Sequence, residues 1–126
     1  MTGTDAELQA AAFHNFAAGA VKRGLPFMAV IWFMTPHAPY ETVPRFRQLY
    51  EGADDNDNGN EYTQDEMDYF GDVSAMDAGI GMIRAALRDL GVAENTIVVF
   101  SGGDNGPEHL TPGSARFGGQ LLKGQY

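Results

Sequence analysis

Hydrophobic positions along the chain fall into patterned blocks separated by glycine, proline and acidic stretches. Residues 5–23 are alanine-rich and begin at Thr4 and Glu7, the spacing of a capping box, which predicts a helix. Gly24 closes it, with Lys22 and Arg23 at the negative end of the helix dipole. "PFMAVIWFM" (26–34) is a continuous apolar run, the pattern of a strand buried on both faces. Three prolines among residues 36–44 then forbid regular structure in "TPHAPYETVP". Residues 45–51 predict a short helix, and "GADDNDNGNEY" a polar, acidic, exposed connection. Thr63 and Glu66 repeat the capping box and open the longest predicted helix, 64–90. Its apolar residues Met67, Phe70, Val73, Met76, Ile80, Ile83, Leu87 and Leu90 recur at spacings of three and four, and Gly91 supplies the stop. Residues 96–101 predict a second buried strand, and the remainder to Tyr126 a glycine-rich loop.

Two strands joined through a long helix imply an α/β chain with a right-handed crossover and a parallel sheet. The prediction is that 27–34 and 96–101 lie parallel in one sheet, with Met67, Phe70, Met76, Ile80, Ile83 and Leu87 facing it. Two strands cannot make that sheet alone. A strand buried on both faces needs neighbours on both sides, so the expectation is assembly with further copies or membership of a longer protein.

At 126 residues the chain is one domain at most. Its formal net charge of −9 argues against nucleic acid as a partner, because phosphate binding needs a basic surface. No apolar run approaches the roughly 18 residues of a membrane span. Asp5 and Glu7 fall where a signal peptide would carry basic residues. With no cysteine there is no disulfide framework and no thiolate metal site, and the compartment stays open.

Polar clusters that could carry chemistry stand at the ends of the predicted strands. Asp104 and Asn105, in "SGGDNG", are either a turn or a pair of hard oxygen donors suited to calcium or magnesium. His37, in "TPHAP", is either a solvated loop residue or a donor to an anionic oxygen. Lys123, in "GGQLLKGQY", is either a surface lysine or a cation where bare backbone lets an anion approach. On the predicted parallel sheet the loops after both strands share one edge, where ligands of open α/β sheets bind. A reading from another class places Asp54, Asn56, Asn58, Gly59 and Asp65 at EF-hand spacing over residues 54–65, a calcium-binding module. Against it, Glu61 holds a position that is normally a branched apolar residue, and no second loop is present to pair with it.

The segments "PFMAVIWFMTPHAPYETVPRFRQLY", "YFGDVSAMDAGIGMIRAALRDLGVAENTIVVFSGGDNGP" and "GSARFGGQLLKG" resemble the middle portion of a type I sulfatase. The shared order is an apolar strand, a Pro-His-x-Pro loop, a helix with Met-Asp-x-x-Ile-Gly, Asn-Thr, a buried strand, Asp-Asn-Gly and a glycine-rich segment ending in lysine. The resemblance implies part of an alkaline-phosphatase-like three-layer α/β/α sandwich with a mainly parallel sheet. It implies hydrolysis of aryl or carbohydrate sulfate esters with a divalent cation, calcium or else magnesium. Asp104 and Asn105 match its metal ligands, and His37 and Lys123 match groups on the sulfate; Asp77 matches a helix position read as structural or capping.

The departures are as informative. The family's formylglycine arises from a Cys/Ser-x-Pro/Ala-x-Arg motif, and Ser74, Ser101 and Ser114 all lack its Pro and Arg. Asp54-Asp55 sits in a polar connector and not after a first buried strand, where the family's paired aspartates stand. The expectation is that residues 1–126 are a partial catalytic domain, with the formylglycine and the rest of the sulfatase domain supplied elsewhere, and inactive alone. Phosphatases and phosphonate monoester hydrolases of the same superfamily remain the neighbouring alternative.

Overall fold

The computed structural model of the chain describes residues 3–37, 39–53 and 61–102. It divides into two units, Met1–Thr96 and Ile97–Tyr126.

In the first unit, α1 (Asp5–Lys22) opens on the expected capping box. The Glu7 N–H donates to Thr4 Oγ1 at 3.3 Å, and the Thr4 N–H donates to Glu7 Oε2 at 2.9 Å. Arg23 forms the C-cap, its Nε donating to the Gly19 carbonyl at 3.0 Å, and Gly24 turns the chain at a φ of 66°. A short helix α2 (Pro44–Arg47), started by proline at its first position, runs into a 3₁₀ turn (Gln48–Tyr50). The long helix α3 (Gln64–Asp89) opens on the second capping box, with Thr63 and Glu66 bonded reciprocally at 2.9 and 3.3 Å. A last 3₁₀ turn spans Ala93–Asn95.

The helices form because each has a face to bury against the other. On α1 this face is Ala6, Ala10, Phe13, Ala17 and Ala20, at spacings of three and four. On α3 the buried line includes Asp68, Asp72, Ala75, Gly79, Ile83 and Ala86. The expected apolar stripe lies one residue further round, about 100° away, at Val73, Met76 and Ile80. Met67, Phe70, Met76 and Ile80 are only half-buried, whereas Ile83 and Leu87 do enter the core. The cause is the seam itself. A Cβ on Gly79 would stand 2.8 Å from Ala6 Cβ and 2.9 Å from the Ala6 carbonyl oxygen. Where the helices cross at Gly79 they admit only small side chains, so α3 turns Ala75 and Gly79 to α1 there and Met76 and Ile80 aside.

The core proper joins Ala10, Phe13 and Ala17 to Ile83, Ala86 and Leu87, with Phe27, Ile31, Phe33, Leu90, Val92 and Ala93 packed around it. Phe27 meets the rings of Phe13 and Phe16 edge-on, with centroids 6.2 and 6.0 Å away. The 27–34 segment thus places Phe27, Ile31 and Phe33 inward while Met28, Val30, Trp32 and Met34 face out. That alternation is the period of an extended chain. The predicted strands are nonetheless absent: no β-strand forms among the described residues, which are mostly helical. Residues 27–34 have a covered face and an open one, with Trp32 85% exposed, in place of two buried faces. In the second unit Ile97 and Val99 are exposed at 91% and 82%. A strand is completed by neighbouring backbone, and neither segment has a ladder partner among the described residues.

The seam predicts opposite outcomes for two glycines of one helix. Gly79→Ala meets backbone that cannot rotate away and should cost about 1–3 kcal/mol. Gly81→Ala, with nothing within 4 Å of the new methyl, should gain about 0.5–1 kcal/mol from helix propensity. Urea midpoints of the two variants check this; equal shifts would mean that the helices are not in contact there.

Candidate functional site

The loop carrying His37 leaves the extended segment at Met34 and re-enters helix at Pro44. His37 is exposed, and its N–H donates to the Met34 carbonyl at 2.7 Å, a tight turn around a cis Thr35–Pro36 bond. The first turn of α1 holds the loop from both ends. Asp5 Oδ2 accepts the Met34 N–H at 2.9 Å, and its Oδ1 accepts the Thr35 hydroxyl. Glu7 Oε2, already in the capping box, also accepts from the Arg45 guanidinium beyond the loop.

The far end of the loop rests on α3. Thr42 is 6% exposed and fits against Gly71, where a Cβ would stand 2.5 Å from its methyl. Arg47 Nε donates to the buried Asp68 carboxylate at 2.5 Å. Aromatic contacts pack the same end of α3: Tyr40 lies 5.2 Å from Tyr69, and Tyr50 and Tyr62 lie 5.5 and 5.0 Å from Phe70. The Tyr50 hydroxyl and Ser74 Oγ are 2.7 Å apart. A separate open groove of about 340 Å³, lined in part by Ala10, His14, Met82 and Asp89, holds none of the predicted site residues.

Burial and charge act oppositely on two carboxylates here. Glu7 is held below the ordinary 4.5, chiefly by the Thr4 N–H, with the Arg45 guanidinium and the Thr4 hydroxyl helping and burial opposing. Asp72 is pushed above the ordinary 3.8, first by burial and then by the like charges of Asp68 and Asp5. The Thr42 hydroxyl and the Glu41 backbone work the other way. Thr42 Oγ1 is near enough to favour the ionised carboxylate electrostatically, yet it has no partner within hydrogen-bonding geometry.

Of the residues singled out in the sequence, His37 is thus placed on an anchored loop. Asp104, Asn105 and Lys123 lie outside the described residues, as do Asp54, Asn56, Asn58 and Gly59 of the EF-hand-like spacing. Asp65, its remaining member, is exposed in the first turn of α3. Asp77 is exposed on α3 and caps nothing, since the cap is Thr63. Among the described residues no group of three or more His, Asp or Glu side chains could hold a metal ion. No helix among them is long and apolar enough to cross a membrane. Sequence reasoning missed Asp5 and Glu7 as loop anchors. Acidic residues in a first helical turn are expected for the dipole alone, and nothing local shows that they also reach residues some thirty to forty positions away.

The sulfatase family model matches residues 4–125. The chain belongs to the sulfatase family. The ulvan-active sulfatase of Formosa agariphila is 33% identical to this sulfatase chain over 88 residues, which cover 64% of it and 17% of the relative. The chain therefore spans a small part of the length of the curated relative it matches. No solved structure matches it. Membership carries with it an alkaline-phosphatase-like α/β fold, and sulfatases generally use a divalent cation and a formylglycine.

The shifted carboxylates give opposite pH dependences. Glu7, lowered on folding, contributes stability that is complete above about 4.5 and is lost as pH falls through its folded value. Asp72, raised on folding, favours the folded chain while protonated, and that advantage is lost as pH rises from 3.8 through its folded value. Asp72→Asn should therefore raise the Tm at pH 7 and give no gain below pH 3.8. Glu7→Gln should lower the Tm at pH 7, with a cost that shrinks in acid. Circular-dichroism melts across pH 3–7 check both signs.

Proposed function

We propose that these residues form part of a sulfate-ester hydrolase and supply its substrate-facing and metal-facing loops. The observation that carries the reading is the family match over residues 4–125, which spans His37, Asp104, Asn105 and Lys123 together. In this reading 27–34 and 96–101 enter a mainly parallel sheet of a three-layer sandwich. The exposed apolar face of Met28, Val30, Trp32 and Met34 supports it, because such a face is stable only when covered.

The donor chemistry fits a divalent cation. The Asp104 carboxylate and the Asn105 amide oxygen are hard ligands suited to calcium, or to magnesium with more retained water. When bound, the cation would stabilise negative charge on the sulfate and its nucleophile. His37 would donate a hydrogen bond to a sulfate oxygen, and Lys123 would place an ammonium against the same group. As the sulfur–oxygen bond to the alcohol breaks, charge grows on the leaving oxygen and persists on the equatorial ones. Fixed donors there lower the barrier without reorganising. The nucleophile is supplied by sequence outside these residues, since no serine or cysteine here stands in the formylglycine motif. A relative named an ulvan-active sulfatase supports a sulfate ester, aryl or carbohydrate, as the substrate.

The test is hydrolysis of a chromogenic aryl sulfate by the complete polypeptide that carries these residues. His37→Ala and Lys123→Ala should each lower kcat/KM about a hundred- to a thousandfold. Asp104→Ala should lose more, because the carboxylate carries formal charge to the cation that organises nucleophile and sulfate together. Chelation should abolish turnover and added calcium restore it. Full activity of Asp104→Ala would overturn the metal assignment, turnover by residues 1–126 alone would overturn the division of the site, and preference for an aryl phosphate would overturn the sulfatase reading.

A further inference from the structure

We propose that Asp5 is a positioning residue for His37, acting through the backbone of Met34. The proposal rests on the reading of His37 as a donor to the sulfate, and it assigns to the first turn of α1 the task of fixing where that donor stands.

One residue links the two. The Met34 N–H donates to Asp5 Oδ2 at 2.9 Å, and the Met34 carbonyl accepts the His37 N–H at 2.7 Å. The second Asp5 oxygen takes the Thr35 hydroxyl, so two consecutive loop residues are held by one carboxylate. Both bonds on Asp5 are to an ionised acceptor, the stronger and more directional class. The carboxylate is itself fixed, because Asp5 begins a helix whose next residue, Ala6, is fully buried against Gly79. The chain of contacts therefore runs from the close Ala6–Gly79 contact of the helix pair, through Asp5 and Met34, to the His37 backbone. The Glu7–Arg45 ion pair holds the far end of the loop as well. A donor aimed at a developing charge loses its value when displaced by about an ångström, so a residue that sets its position affects rate without touching substrate.

Acidic residues at a helix start also serve the dipole, and that purely structural role predicts different behaviour. The experiment combines turnover by the complete polypeptide with amide exchange in the 126-residue chain. Asp5→Asn removes the charge and one acceptor oxygen. Thr35→Val removes the hydroxyl from the loop side and leaves α1 intact, so it remains informative if the helix start tolerates no change. In the 126-residue chain, Asp5→Asn should speed exchange of the Met34 and His37 amides about tenfold, while amides of Ala10–Ala17 and Ile83–Leu87 keep their rates. In the complete polypeptide, each variant should lower kcat on an aryl sulfate about tenfold with little change in KM. Neither should cost anything further when combined with His37→Ala. Additive losses in the double variants, or a rise in exchange spread evenly over α1 and α3, would overturn the proposal and leave Asp5 a structural residue. Undiminished turnover by His37→Ala would instead overturn the sulfate role of His37. That failure is separable, because the exchange pattern of the Asp5 variant does not depend on it.

Discussion

Gly79 has no Cβ, and the backbone of Ala6 lies where one would stand. That contact sets how closely α1 and α3 approach, and the rest of the described architecture follows from it. It selects small residues where the two helices cross, Ala6 on α1 and Ala75 and Gly79 on α3. It also fixes the first turn of α1 in space, since Ala6 is bracketed in sequence by Asp5 and Glu7. A helix start is ordinarily the part that frays. Here it is held by tertiary packing, and its two carboxylates become fixed anchors for chain arriving from elsewhere.

The loop around His37 is shaped by those anchors and by a notch on α3. Prolines deprive it of regular hydrogen bonds, so its backbone groups must find partners outside any ladder. Asp5 satisfies the Met34 amide, Met34 satisfies the His37 amide, and Gly71 makes room for Thr42. The arrangement places the exposed His37 on a loop anchored by α1 and α3, the usual division between scaffold and surface loop. It also concentrates negative charge: Asp5, Asp68 and Asp72 stand close enough that burial and mutual repulsion disfavour ionised Asp72. Arg47 relieves Asp68 directly, which is how a buried carboxylate on a helix seam is tolerated.

The apolar segment 27–34 shows what family membership adds to local packing. Its inward residues meet the helix pair, and its outward residues, Trp32 among them, meet nothing among the described residues. In the proposed reading, the α/β fold of the sulfatases would give such a segment a place as one strand among several, each supplying the ladder that its neighbour lacks.

Both capping boxes, both helix stops at glycine and a short helix near 45–51 were legible in the sequence, because caps and stops are decided within a few residues; that Pro44 starts the short helix was not. The succession of Pro-His-x-Pro, Asp-Asn-Gly and a glycine-rich segment with Lys123 was legible as well, and it pointed to the family that the match over 4–125 shows. What the sequence could not decide was which side of α3 is buried. Periodicity points to the line of Met76 and Ile80, whereas the seam takes the line of Ala75 and Gly79, since closeness of approach depends on the partner helix. Nor could it show that Asp5 holds Met34 and Thr35, or that Glu7 holds Arg45. Those pairs join positions far apart in the chain, and only the packing of the extended segment, its loop and α2 against the first turn of α1 brings their atoms within bonding distance.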